Sequence, residues 1–313
     1  MARLTADHLT GAAKGWRPQD LHVGISGWTY SPWRGVFYPR KLAHRLELQF
    51  ASRQFNSIEI NGSFYSLQRP SSYQRWYTET PPGFVFSVKG ARFITHMKKL
   101  REVKVPLANF FASGVLALRE KLGPILWQFP PNFGWNKERF TEFFEMLPHD
   151  TGEAAKLAKK HDDKVKGRAW TKTDTVRPVR HAVEIRHPTF MVPDFFKLLR
   201  RHNVAFVFAD TAGKWPYAED LTADFAYCRL HGAEQLYVSG YNEEELDWWA
   251  NRIEHWRKGK QPRDAKLVAH RKTGAIGRRD VYVYFDNDAK VHAPFNARTL
   301  AKKLQSQGPT LRS

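Results

Sequence analysis

Residues 182–210 have the sequence AVEIRHPTFMVPDFFKLLRRHNVAFVFAD, and this stretch decides the fold class. Its two ends, Ala182 to His187 and Val204 to Asp210, are rich in β-branched and aromatic residues, which is typical of strands. Between them, the apolar residues from Phe195 to Leu199 have helical spacing and follow Pro193, a residue that favours the first turn of a helix. This order predicts a βαβ unit with parallel strands.

The same alternation continues over most of the chain. No G-x-G-x-x-G motif opens a helix after a strand, as a dinucleotide-binding sheet would require. Eight units between residues 21 and 305 therefore predict an α/β fold, a single-domain (β/α)₈ barrel of the TIM type. The predicted strands are His22–Gly27, Ser57–Asn61, Phe84–Lys89, Pro124–Phe129, Ala182–His187, Val204–Asp210, Phe225–His231 and Val281–Asp286.

Four segments lie outside these units. Residues 1–20 are predicted to form an N-terminal arm and residues 306–313 a C-terminal tail. Two charge-rich connections, residues 148–180 and 257–280, are predicted to be mobile basic insertions. Both precede a strand, so we expect them at the end of the barrel opposite the mouth that carries active sites.

The composition restricts the class of protein. The chain of 313 residues has 50 Lys and Arg against 31 Asp and Glu, a net charge of +19 that fits either a nucleic-acid partner or a solvated cationic surface. Cys228 is the only cysteine, which excludes an intramolecular disulfide and a cysteine-rich metal site. No apolar run is long enough for a membrane span or a signal peptide, so we expect a monomeric cytoplasmic protein without a membrane partner.

Charged residues alternate with apolar residues in several predicted strands. Because side chains alternate between the two faces of a strand, Val183 and Ile185 suit the helix layer, and Glu184 and Arg186 then face the barrel axis. Such convergence indicates either a self-satisfied ion-pair network or an active site at the carboxyl ends of the strands. The polar residues predicted to face inward are Glu59, Asn61, Lys89, Gln128, Glu184, Arg186, Asp210, Arg229, His231 and Asp286.

Seven short motifs occur in order along the chain. They are Gly24-Ile25-Ser26-Gly27-Trp28, Glu59-Ile60-Asn61-Gly62-Ser63-Phe64-Tyr65, Lys89 with Thr95-His96, Leu126-Trp127-Gln128-Phe129-Pro130-Pro131, Val183-Glu184-Ile185-Arg186-His187-Pro188, Arg229-Leu230-His231-Gly232 and Tyr284-Phe285-Asp286-Asn287-Asp288. Together they resemble the YecE-like family, a domain of unknown function. The resemblance implies a TIM-type barrel similar to those of endonuclease IV and the sugar isomerases, hence a nucleic-acid role, and it implies no settled reaction. The chain departs from the family at Asp286, where Asn is more usual.

A divalent metal site is one chemistry that these residues suggest, since hydrolytic barrels bind such ions with His and carboxylate ligands from several strand ends. No H-E-x-x-H or H-x-H pair occurs, and the interleaved basic residues would repel a cation. No other cofactor is identified from the sequence. The candidate ligands are His187, Asp210 and Asp286, with Glu59, Glu184 and His231.

Acid–base chemistry and anion binding are the two other chemistries. Glu59 and Glu184 come from different strands and could face each other across a substrate, with Glu184 as base and His231 as proton donor. Arginine and lysine side chains could instead hold a phosphate or a carboxylate. The candidate ligand contacts are Lys89, Arg186, Arg229, Asn61, Gln128, Asn287 and two rim aromatics, Trp28 and Tyr65.

The sequence therefore predicts a barrel enzyme that accepts a phosphate-bearing ligand, either nucleic acid or a nucleotide. Hydrolysis of a phosphodiester is the expected reaction, with Glu184 as base or metal ligand, His231 as proton donor, and Arg186 and Arg229 stabilising the transition state. Two alternatives stay open. One is a nucleic-acid-binding protein without catalysis, and the other is an enzyme acting on carbohydrates or sugar phosphates.

Overall fold

The computed structural model describes residues 21–269 and 277–306. In these residues, eight parallel strands pair in chain order and close into a barrel, which confirms the predicted fold class. The strands are β1 (Leu21–Ser26), β2 (Ser57–Ile60), β3 (Val85–Lys89), β4 (Leu122–Gln128), β5 (His181–Glu184), β6 (Val204–Asp210), β7 (Phe225–Leu230) and β8 (Asp280–Phe285).

Helices connect the strands and cover the outside of the barrel. Within the described ranges, none of them is long and apolar enough to cross a membrane. The α-helices are α1 (Glu47–Ala51), α2 (Gly62–Tyr65), α3 (Pro70–Glu79), α4 (Lys104–Ala112), α5 (Lys137–Met146), α6 (Thr151–Ala158), α7 (Pro193–Arg201), α8 (Glu243–Arg257) and α9 (His292–Ser306). A π-helical turn spans Phe93–Met97, and 3₁₀ turns span Ser31–Trp33, His44–Leu46, Val115–Lys121, Asp163–Val165 and Pro188–Phe190.

Alternate residues of each strand face the helix layer and the barrel axis, as predicted, and they form two separate clusters of buried side chains. Ile58, Val183 and Val283 belong to the outer core between strands and helices. Tyr227 and Tyr284 belong to a separate inner core around the barrel axis. The phenol rings fill the middle of the interior and separate an ion pair at the lower end, between Arg180 and Asp280, from the charged residues near the mouth.

The helix signals in the sequence are confirmed at two places. At the start of α8, the Asn242 side chain accepts a hydrogen bond from Glu245 N at 2.9 Å, and Glu245 Oε2 accepts one from Asn242 N at 2.8 Å. This capping box satisfies backbone groups that the first turn leaves unpaired. Helix α7 begins at Pro193 and buries Phe195 and Leu199 against the barrel.

The insertion at residues 148–180 is folded, which corrects the prediction of a mobile loop. Its helix α6 packs against α4, and Asp162 forms two hydrogen bonds of 2.9 and 3.1 Å with the Asn109 side chain. Lys164 lies 4.7 Å from the centre of the Phe93 ring, beside the mouth. The insertion starts at the far end of the barrel, as expected, but α6 brings it back to the mouth because its small apolar residues pack along α4.

The second insertion is described only in part, since residues 270–276 lie outside the described ranges, as do residues 1–20 and 307–313. Its described residues are attached to the barrel. The Asp220 carboxylate accepts hydrogen bonds from Val268 N at 2.8 Å and from Ala269 N at 3.0 Å, and it pairs with Arg200 at 2.9 Å.

Asn109→Ala is expected to lower the free energy of unfolding by about 1–2 kcal/mol, because the buried Asn109 side chain satisfies both Asp162 groups. Chemical denaturation monitored by tryptophan fluorescence measures this change. Asp163→Ala, at an exposed neighbouring site, is the control and should stay close to wild type. Equal stability of the two variants would mean that the insertion is not part of the cooperative fold.

Candidate functional site at the barrel mouth

A network of buried charges lies directly below the mouth, and Arg229 on β7 is at its centre. Its Nε and Nη2 lie 3.1 and 2.8 Å from the two carboxylate oxygens of Glu59. Its Nη1 donates to Glu184 at 2.7 Å, and its Nη2 also donates to Asp286 at 2.8 Å. The guanidinium is fully buried. Arg229 therefore binds three carboxylates of the protein, whereas the sequence predicted that it contacts a ligand.

Glu59 is saturated by hydrogen bonds. Besides the two from Arg229, its carboxylate accepts one from Ser26 Oγ at 2.8 Å and one from the Tyr227 hydroxyl at 2.6 Å. A carboxylate has about four lone-pair positions, and these contacts occupy them. In this geometry Glu59 links neighbouring and opposite strands of the barrel. No lone-pair position of its carboxylate remains free for the catalytic role expected from the sequence.

Glu184 is similarly engaged. Its Oε1 accepts hydrogen bonds from Gln128 Nε2 at 2.6 Å and from Arg186 Nε at 3.1 Å, while Oε2 accepts from Arg229. Burial by itself would raise the pKa of this carboxyl, but the charges of Arg229 and Arg186 hold the pKa well below its usual range. Glu184 is thus an ionised, fully bonded group that positions Arg186 and Gln128.

His231 connects the network to the mouth. Arg229 Nη1 lies 3.3 Å from Nε2 of His231. Because a guanidinium can only donate, a hydrogen bond at this contact has Nε2 as the acceptor. Nδ1 lies 3.1 Å from Asp286 Oδ2. His231 is buried, and Asp286, whose side chain is 14% exposed, lies between it and the cavity.

A cavity of about 760 Å³ opens above this network. Among the residues predicted to form the site, six line it, and four more, Glu59, Glu184, Arg229 and His231, lie beneath it. The predicted residues that line the cavity are Asn61, Tyr65, Lys89, Gln128, Arg186 and Asp286. Six further residues complete the lining, namely Tyr30, Phe64, Arg92, His96, Met97 and Tyr237.

Lys89 ends β3 and faces the cavity. Its side chain is largely buried, with 7% of the residue exposed, and its Nζ lies 4.3 Å from the centre of the Phe64 ring. Within residues 21–269 and 277–306, its ammonium group has no hydrogen bond and no carboxylate within 4 Å. Burial and the charge of Arg229 lower the pKa of Lys89 to about 8, against the opposing attraction of Glu59 and Asp286.

Arg186 is held in a fixed orientation. Its guanidinium stacks on the Trp215 ring at 3.8 Å, its Nη2 donates to the Tyr237 hydroxyl at 3.0 Å, and its Nε is bound by Glu184. Tyr237 has a positive φ of 65°, which a residue with a Cβ adopts only at a cost in free energy. The strained Tyr237 backbone therefore places a hydroxyl and a guanidinium together on the cavity wall.

The segment after β3 supplies residues that the alternation rule missed. Its π-helical turn, Phe93–Met97, places His96 and Met97 on the cavity wall. The pKa of His96 is lowered to about 4, first by burial and then by the charges of Lys89 and Arg186. The motif Thr95-His96 was a signal for His96 in the sequence, but its position depends on a local helix geometry that strand parity does not describe.

An apolar side chamber of about 230 Å³ adjoins the main cavity. The two share Phe64, Tyr65, Arg92 and Met97, and Lys164 of the first insertion closes the far side of the chamber. Tyr65 is 66% exposed between them, with Arg92 at 5.7 Å from its ring centre. The mouth thus has a cationic compartment next to an apolar one.

Two predicted metal ligands lie elsewhere, which corrects their assignment to the site. His187 caps the 3₁₀ turn at Pro188–Phe190, with Nδ1 2.9 Å from Thr189 Oγ1. Asp210, the last residue of β6, faces the helix layer and accepts a hydrogen bond from the Tyr241 hydroxyl at 3.0 Å. In the part of the chain that the structure describes, no three His, Cys, Asp or Glu side chains have the arrangement of a metal site.

Two predicted ligand contacts are also placed outside the cavity. Trp28 packs edge-on against Trp76 in the outer core, because Gly27 with φ 83° turns the chain after β1. Asn287 is buried and donates to Ser239 O and Asn296 Oδ1, both at 3.0 Å. Side chains alternate between inward and outward along β8 and the residues that follow it. Asn287, which follows the inward-facing Asp286, is therefore predicted to face outward.

Acid is expected to weaken the fold through Asp286. Burial would raise its pKa, but Arg229 and His231 lower the pKa to about 2, below the unfolded value of about 3.9. The ionised form thus stabilises the protein above about pH 4, and about 2 kcal/mol is lost as pH falls from 4 to 2. Urea unfolding at pH 6, 4 and 3 measures the decrease. Asp286→Asn should show a smaller decrease, and an equal decrease in both proteins would contradict the assignment.

Two bacterial proteins are similar to part of the chain. The UPF0759 protein YunF of Bacillus subtilis is 28% identical over 144 residues, which are 42% of this chain and 48% of YunF. The UPF0759 protein YecE of Escherichia coli K12 is 26% identical over 114 residues, 36% of this chain and 39% of YecE. The aligned segments thus span less than half of either relative.

Solved structures share the fold over a longer range. A DUF72 family protein from Thermotoga maritima has a TM-score of 0.68 and 24% identity, covering 91% of this chain and 99% of that chain. A DUF72 family protein from Enterococcus faecalis has a TM-score of 0.62 and 16% identity, covering 91% and 95%. The model of the family described as protein of unknown function DUF72 matches residues 22–313, and the chain therefore belongs to this family.

Proposed function

We propose that the mouth cavity binds a small ligand carrying a phosphate group, such as a sugar phosphate or a nucleotide. The observation that carries this proposal is the ammonium of Lys89, which has no carboxylate partner among the described residues and lines the same cavity as Arg186. Within the described residues, the lining of this cavity has three basic side chains, Lys89, Arg92 and Arg186, and one carboxylate, that of Asp286. Asp286 also pairs with Arg229 beneath the cavity. A wall with more basic than acidic side chains is stabilised by an anion.

The orientation of Arg186 favours phosphate over a monovalent inorganic anion. Trp215 and Glu184 fix the plane of the guanidinium, and Nη1, which has no hydrogen-bond partner among the described residues, keeps its two N–H donors for phosphate oxygens. The Tyr237 hydroxyl accepts from Arg186, so its own proton is available to a ligand in the cavity that it lines. The ligand would therefore meet donors already oriented before binding.

The apolar side chamber supports a ligand with a flat or apolar portion. Phe64 and Tyr65 separate the two compartments, and aromatic faces stack on sugars and nucleobases. A cavity of about 760 Å³ is within the range of small-molecule sites. The size and the aromatic wall fit a nucleotide or a sugar phosphate better than a folded polynucleotide.

For phosphodiester hydrolysis, Asp286 is the group on the cavity wall that can accept a proton from water. Glu184, the base expected from the sequence, has its oxygens occupied by Gln128, Arg186 and Arg229. In this scheme Asp286 orients the water, His231 Nδ1–H stabilises Asp286, and Arg186 binds the developing charge.

Ligands with phosphate are expected to raise the Tm of the protein, and their counterparts without phosphate are not. The test compares glycerol 3-phosphate, ribose 5-phosphate and AMP with glycerol, ribose and adenosine by thermal denaturation at low salt. Binding to the native state stabilises it by RT ln(1 + [L]/Kd), so Tm rises with the logarithm of the ligand concentration once that concentration exceeds Kd. Equal effects of each pair would overturn the proposal.

Nucleic-acid binding at the opposite end of the barrel is a second candidate, which the net charge of +19 favours. Lys260 and Arg263 are exposed there, in the connection before β8. If this surface binds an oligonucleotide, Lys260→Glu with Arg263→Glu should weaken binding and reduce its salt dependence, while Arg186→Met should not. Unchanged binding in the double variant would exclude this surface.

A further inference from the structure

The amine of Lys89 lies in surroundings that a purely electrostatic role would not explain. A lysine that serves only as a fixed charge is most stable beside a carboxylate, but Lys89 Nζ lies over the face of Phe64 instead. Glu59 and Glu184, the nearest acids on the strands, are both occupied by Arg229. The side chain thus ends in an aromatic, largely water-free wall and points into the cavity.

We propose that Lys89 is a nucleophile that forms an imine with a carbonyl group of the ligand, which makes the ligand a phosphorylated aldehyde or ketone. This inference rests on the proposed function, because the phosphate would be held by Arg186 while the carbonyl group reaches Lys89. Open-chain sugar phosphates carry both groups on one small molecule.

The surroundings of Lys89 favour the neutral amine that such a reaction needs. Burial and the neighbouring Arg229 charge lower its pKa to about 8, so about one molecule in ten carries the free amine at pH 7, compared with far fewer than one in a thousand for an ordinary lysine. Desolvation and a nearby cation are the two established ways to activate a lysine nucleophile.

The cavity also contains groups for the proton transfers. The Nζ atom attacks the carbonyl carbon, the nitrogen gives one proton to Asp286, and the carbonyl oxygen takes one from the Tyr237 hydroxyl, which yields a neutral carbinolamine. Asp286 then passes its proton to the carbinolamine hydroxyl group, which leaves as water while the C=N bond forms. The remaining proton on nitrogen returns to the Tyr237 oxygen, so no oxidant or reductant is needed. Asp286 is placed to accept the proton from nitrogen, and the Tyr237 hydroxyl is placed to donate to oxygen.

Borohydride trapping is the direct test. The protein is incubated with dihydroxyacetone phosphate or ribose 5-phosphate and then reduced with sodium borohydride, and the modified residue is located by mass spectrometry of peptides. We expect the adduct on Lys89, with a rate that rises as pH increases through about 8. Glycerol 3-phosphate, which has the phosphate but no carbonyl group, should compete with labelling and give no adduct.

Lys89→Arg and Lys89→Met should both lose the adduct by about tenfold or more. Lys137→Arg, which removes an exposed amine on α5, is the matched control and should retain it. Because the labelled residue is identified in the wild-type protein, the test does not depend on the folding of a variant.

The outcomes separate this inference from the proposed function. If glycerol 3-phosphate raises Tm but no adduct forms on Lys89, the imine is overturned while phosphate binding stands. If an adduct forms equally well with unphosphorylated dihydroxyacetone, the nucleophile stands and phosphate recognition fails. Adducts distributed over exposed lysines, without preference for Lys89, would also overturn the inference.

Discussion

Arg229→Met is expected to lower the free energy of unfolding by about 3–5 kcal/mol or more, because it leaves buried carboxylates without their cation. Glu59 and Glu184 are fully buried and both depend on this guanidinium. The total stability of a domain is about 5–15 kcal/mol, so the variant retains little of it. Urea unfolding at pH 7, monitored by tryptophan fluorescence, measures the loss.

The control is a triple variant that removes the charges of Arg229 and of its two fully buried carboxylate partners at once. In Glu59→Gln/Glu184→Gln/Arg229→Met the amides keep the side-chain shapes, and the two fully buried carboxylates are removed together with their cation, so we expect this triple variant to be more stable than the single one. A single variant within about 1 kcal/mol of wild type, the range of exposed ion pairs, would show that the network contributes no more than surface charges. That result would contradict the structural role assigned to Arg229.

Arg186→Met is expected to weaken the binding of glycerol 3-phosphate by about 10- to 100-fold, since a charge-assisted contact contributes about 1.5–3 kcal/mol. The loss should be large because Trp215 and Tyr237 hold the guanidinium rigidly and little ordering is needed on binding. Glu184 keeps its bonds to Gln128 and Arg229, so the variant should fold. Isothermal titration calorimetry measures the affinity.

Two further arginines provide controls for this experiment. Arg92→Met should weaken binding less than Arg186→Met, because Arg92 is exposed and its charge is screened by solvent. Arg75→Met, on the outer surface of α3, should leave the affinity unchanged. If the affinity is the same in Arg186→Met and in Arg75→Met, Arg186 does not contact the phosphate group.

Much of the fold was predictable because one physical rule governs it. Strand residues alternate between two environments, so the pattern of Val183, Glu184, Ile185 and Arg186 assigns each side chain to the helix layer or to the barrel axis. The eight strands and the inward direction of Glu59, Lys89 and Arg229 follow from the same rule and agree with the structure.

The prediction failed where the backbone leaves the strand. Trp28 and His187 follow β1 and β5, but turns redirect both side chains away from the cavity. The first insertion, too polar to suggest a helix, folds because Asn109 and the outer face of α4 bind it. Such contacts join residues about fifty positions apart, and no local pattern encodes them.

The sequence by itself determined the barrel, its polar upper interior and the end at which that interior opens, since these depend on local hydrophobic alternation repeated in every unit. Only the tertiary structure decided which charges are available to a ligand. Closure of the barrel brings Arg229 within hydrogen-bond distance of Glu59, Glu184 and Asp286 and leaves Lys89 without a carboxylate. Pairing of charges depends on distances of a few ångströms between separate strands, and those distances exist only after the sheet has closed.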